Sequence, residues 1–146
     1  MDQLESDFRK QALAHRFELL RSLSYFGRKN GQGAAGTAYE LTQVAMRCGF
    51  VGERKPATGV VLDGWIREKN PPAWAVKAAV VMLFDLPEHT PSYEEMAAMG
   101  LVLAELFPDD SAEDLAGHLP EHLQGLEWEP VLKLACGARK RRLADQ

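Results

Sequence analysis

The chain holds only two cysteines in 146 residues, Cys48 and Cys136, far apart and without a CxxC or Cys/His companion. That scarcity excludes a disulfide framework and a zinc finger, and both residues read as reduced, buried thiols. Long apolar runs are equally scarce. The longest, Ala73 to Phe84, is interrupted by Lys77 and falls short of the roughly 20 residues that cross a bilayer. The start, MDQLESDFRK, has no apolar stretch behind a basic beginning, so it does not read as a signal peptide. A cytoplasmic protein with no membrane partner is expected. Period-two alternation, internal repeats and low-complexity tracts are missing too, which argues against sheets and arrays. No Ser/His/Asp or Cys/His set, catalytic carboxylate pair or P-loop is legible, so neither an enzyme nor a cofactor is expected.

What is present suits a globular helical chain: 46% hydrophobic and 26% charged residues provide a real core. The net charge of −4 conceals an asymmetry. Residues 1–80 carry 12 Lys/Arg against 8 Asp/Glu, whereas residues 81–146 carry 5 against 13. A polyanion would therefore meet the amino-terminal part and be steered away from the rest.

Apolar residues recur at helical spacing through Leu4, Phe8, Leu13, Phe17, Leu20 and Leu23, predicting a first helix over about residues 3–27. Thr37 and Glu40 have capping-box spacing for a second helix that stops at Gly49. Pro56 suits the first turn of a third helix reaching about Glu68, although Gly59 and Gly64 weaken it and a short strand in GVVLD competes. The fourth, Ala73 to Leu86, is apolar nearly all round and belongs at the centre of a core. Ser92 with Glu95, and Ser111 with Asp114, open two more helices, and Pro130 opens the last.

Three motifs have stronger ordinary readings than functional ones. GQGAAG at residues 31–36 matches GxGxxG but follows a helix, so it reads as a flexible linker. HLPEH at residues 118–122 has HxxEH spacing, but Pro120 would kink the helix that must hold both histidines, leaving two solvated imidazoles beside a break. The run Arg139 to Arg142 is a candidate nucleic-acid arm, with helix carboxyl-terminal capping as the ordinary alternative.

The segment GVVLDGWIREKNPP carries more. Together with the helix before it, a glycine turn, and the buried helix after the double proline, it resembles the lambda-repressor/Cro-like (XRE) helix-turn-helix family over about residues 37–86. The resemblance rests on Leu41, Gln43, Ala45 and Gly49, on Leu62 and Trp65, and on the charged loop Arg67 to Asn70 before Pro71 and Pro72. It implies that Ala45 and Gly49 let two helices pack closely and that Leu62 and Trp65 are the aliphatic and the tryptophan of a recognition helix; the apolar pattern itself puts Val61, Leu62, Trp65 and Ile66 on an inward face. The turn FVGERKPATG is longer than the family's and carries Arg54 and Lys55. The outward face of the third helix would present Thr58, Gly59, Val60, Asp63 and Gly64, a poor set for reading bases.

The expected architecture is all-α: a helix-turn-helix bundle of about four to five helices over residues 1–87, with an acidic helical extension over residues 88–146. The expected function is a sequence-specific, DNA-binding transcriptional regulator of the repressor type. In it Arg54, Lys55, Arg67 and Lys69 would hold phosphates, with Thr58 and Gln43 near the groove. Met96, Met99, Leu103 and Leu106 form a stripe suited to a homodimer. The alternative is a small helical inhibitor or adaptor that binds another protein through its acidic half.

Overall fold

The computed structural model describes the backbone of residues 3–144 and the side chains of residues 3–139. The chain is all-α, with no strand among the described residues. Its helices are α1 (Gln3–Ala14), α2 (Phe17–Lys29), α3 (Ala34–Arg47), α4 (Gly59–Glu68), α5 (Ala73–Phe84), α6 (Tyr93–Leu106), α7 (Ala112–Ala116) and α8 (Glu129–Ala144), with a 3-10 turn at Glu121–Leu123. GVVLD is helical, not a strand. Two compact units result: Arg16–His89 is one, and the segments up to His15 and from Thr90 onward make the other.

The single first helix expected over residues 3–27 is two helices that break at His15 and Arg16. Phe8 and Ala12 of α1 are buried in the unit with α6 and α8, whereas Phe17, Leu19, Leu20 and Leu23 of α2 belong to the unit with α3, α4 and α5. The stripe is continuous in sequence, but it serves two cores.

In the Arg16–His89 unit, α5 packs against both α2 and α3. Ala75, Val76, Ala78, Ala79, Val80 and Leu83 are all buried, which its nearly uniform apolarity requires. GQGAAG is no flexible linker: Gly31 to Gly33 make a tight interhelical turn and Ala34 to Gly36 begin α3. Gly31, at φ +84°, lets the Gln32 and Gly31 amides donate back to the Gly27 and Arg28 carbonyls, while Gly33 caps α3. Helix α3 therefore starts before Thr37, which is buried within it, and Thr37 and Glu40 form no capping box.

In the other unit, the Ser92/Glu95 and Ser111/Asp114 capping boxes both form. Gly100 lets α6 and α8 approach closely, since a Cβ there would lie 3.0 Å from Val131 Cγ1. Met96, Met99 and Leu103 are buried in this unit, where α6 packs on α1 and α8, and Leu106 is half-buried. The stripe expected to join two copies is spent on the chain's own core.

Arg139 is likewise internal. At 3% exposure its guanidinium donates to the carbonyls of Ala104, Phe107 and Asp110, closing the carboxyl end of α6. It is thus no part of a free cationic arm; the side chains of Lys140, Arg141 and Arg142 lie outside the described residues. The two HLPEH histidines separate. His118 pairs with Asp110 at 3.0 Å and stacks on Phe107, while His122 is half-buried in the 3-10 turn after Pro120. Cys48 is exposed at the end of α3, contrary to expectation, and Cys136 is half-buried. No described helix is long and apolar enough to cross a membrane.

Candidate nucleic-acid interface

The candidate surface is built around the turn of residues 48–58. Helix α3 ends in a Schellman motif: Gly49 adopts φ +76°, Phe50 N–H donates to the Ala45 carbonyl, and Gly49 N–H donates to that of Met46. A Cβ at Gly49 would meet nothing within 4 Å, so this glycine serves the backbone conformation and not close helix packing as expected.

From there the chain runs back along α3. The buried Thr42 hydroxyl donates to the Ala38 carbonyl and accepts the Ala57 N–H at 3.0 Å, anchoring the returning strand of the turn. Helix α4 consequently begins beside the amino-terminal end of α3. The close approach lies there, at Gly59, where a Cβ would come within 2.9 Å of the Ala35 backbone nitrogen.

Thr58, not Pro56, opens α4. Its hydroxyl accepts the Val61 N–H at 3.2 Å, so this side chain is engaged as an N-cap. Leu62 is the fully buried residue of the helix, and Trp65 and Ile66 are half-buried. Val61 was expected inward but is 41% exposed, and Val60 on the outer face is 82% exposed. Asp63 is also exposed.

Arg54 projects from the turn and lies over the Trp74 ring at 4.7 Å, with its Nε donating to the Lys55 carbonyl. Trp74 in turn meets Trp65 edge to face at 5.6 Å. The turn, α5 and α4 are thereby joined through one aromatic pair that also fixes an exposed cation. A guanidinium seated on a ring loses little side-chain freedom when it takes a second partner. Lys77 lies over Phe50 at 6.0 Å, so a second cation is held at the same turn.

The remaining expected residues are distributed around this cluster. Lys55 and Arg67 are exposed, and Gln43 is half-buried on α3. Lys69 ends α4 in the left-handed region at φ 58°, with its ammonium over Phe17 at 5.4 Å. Trp74 and Lys77 were legible in the sequence only as members of a core helix. Their pairing with Arg54 and Phe50 depends on where the turn folds, which no local spacing signals. Among the described residues no group of three His, Cys, Asp or Glu is placed to hold a metal.

Compared with known proteins, the chain matches no family model, no curated protein sequence and no solved structure.

Proposed function

We propose that this protein is a DNA-binding regulator that docks its Arg16–His89 unit on double-stranded DNA. The supporting observation is the cationic turn: Arg54, fixed over Trp74, stands beside exposed Lys55, a few residues before the exposed first turn of α4. A fixed cation and an exposed one, close in the chain to an exposed helix end, suit a phosphate backbone flanking a groove. The outer face of α4 is then the part directed at base edges, with Arg67 and Lys69 at its far end giving further backbone contacts. Gene repression would follow from occupancy of a promoter.

The test is binding of the full chain to a labelled random-sequence duplex across a salt series. Binding that weakens steeply with salt supports the proposal; no binding at low salt removes it. The adaptor reading draws on a different observation. In the unit containing α6 and α8, Arg139 is buried and Lys133 is paired with Glu129 at 2.8 Å, so two of that unit's cations are neutralised or hidden. Retention of a basic protein partner, with no retention of duplex DNA, would favour it.

A further inference from the structure

Val60 is not explained by folding, and Val61 is explained only in part. Leu62 occupies the inward position of that turn, while Val60 stands 82% and Val61 41% exposed. A β-branched side chain as exposed as Val60 gains little packing and loses rotamer freedom, and Val61 packs over only part of its surface. Two of them in succession form an apolar spot at the first turn of α4, and Tyr39 on α3, itself 55% exposed, adds to the apolar surface of the unit.

The surroundings of the spot narrow what it can meet. Arg54 and Lys55 lie just before it in the chain, and Arg67 is exposed two turns further along α4. Cations before and after this apolar stretch in the chain fit a polyanion that carries apolar groups. Asp63, exposed one turn after Val60, repels phosphate, and in a groove its carboxylate can act only as an acceptor, as from a cytosine amine. In B-form DNA the apolar group accessible in the major groove is the thymine C5 methyl.

Resting on the DNA-docking reading, we infer that Val60 and Val61 are specificity-determining residues that pack on thymine methyl groups, so the preferred sites carry thymine where the first turn of α4 enters the groove. This assigns readout to an outer face that lacks the usual hydrogen-bonding side chains. Discrimination comes from apolar contact, and burying one methyl corresponds to about a fourfold change in affinity.

The experiment uses the full chain and labelled duplexes of alternating A and T, with thymine or with uracil in its place, and of alternating G and C, with cytosine or 5-methylcytosine. Each pair differs by the methyl at the same ring position. Uracil should weaken binding about fourfold or more, and 5-methylcytosine should strengthen it. V60S and V61S combined should erase both differences while leaving the salt dependence unchanged, with folding checked by circular dichroism. Equal affinity with and without the methyl overturns the inference and leaves DNA docking standing. Failure to bind any of the duplexes at low salt overturns docking itself, and the thymine contact with it.

Discussion

The Thr42 hydroxyl receives the amide hydrogen of Ala57 at 3.0 Å, tying the middle of α3 to the chain fifteen residues later. This bond sets where the basic turn lies and where α4 starts. Thr42 is fully buried, so removing its oxygen leaves the Ala57 donor without a replacement. Thr42→Val preserves shape and should destabilise the protein by about 1–3 kcal/mol in chemical denaturation, with Thr42→Ser closer to wild type. Equal stability of Thr42→Val and wild type would mean that the bond does not anchor the turn.

Two glycines bounding the same turn should fail for different reasons. Gly49→Ala meets open space but must hold a left-handed conformation, a cost of about 1–2 kcal/mol that Gly49→Asn should partly relieve. Gly59→Ala has no unusual φ, but its methyl would press on the Ala35 backbone, costing about 1–3 kcal/mol by displacing α4 from α3. Gly59→Asn should not be milder than Gly59→Ala. Melting temperatures of the four variants check the pattern.

Lys69 holds the conformation that glycine occupies at the corresponding ends of α2 and α3. Lys69→Gly relieves about 1 kcal/mol of backbone strain and gives up a cation-π contact with Phe17 worth about 0.5 kcal/mol. A small net stabilisation is expected together with weaker DNA binding. Unchanged DNA affinity would remove Lys69 from the interface.

Arg139 is the structural cation of its unit. Arg139→Met leaves carbonyls at the end of α6 without their donor and should cost about 2 kcal/mol or more. Arg139→Lys should recover little, because an ammonium cannot reproduce the guanidinium fork. Near-wild-type stability of Arg139→Met would mean that its bonds to the carbonyls at the end of α6 contribute nothing net to the fold.

Much of the helical order was legible in the sequence because the signals were local. Ser92 with Glu95 and Ser111 with Asp114 place both capping partners three residues apart, and the all-round apolarity of α5 marks a central helix. Thr37 and Glu40 have the same spacing without capping anything, because the Gly31 turn had already started α3. The break at His15 was illegible: Leu13, Phe17 and Leu20 continue one helical period, which does not register that the face changes cores. At the candidate interface, Arg54, Lys55 and Val60 were visible as residue types. Their arrangement depended on Thr42–Ala57 and Arg54–Trp74, contacts between segments with no local register.

The most direct measurement is the salt dependence of duplex binding by the full chain carrying Lys55→Gln, Arg54→Gln, or both. If the turn contacts phosphates, each lost contact lowers the slope of log affinity against log salt by about 0.9, and the double variant loses about 1.8. Affinity should fall on all duplexes, with the thymine-methyl preference retained. A double variant with the wild-type slope would contradict docking through this turn.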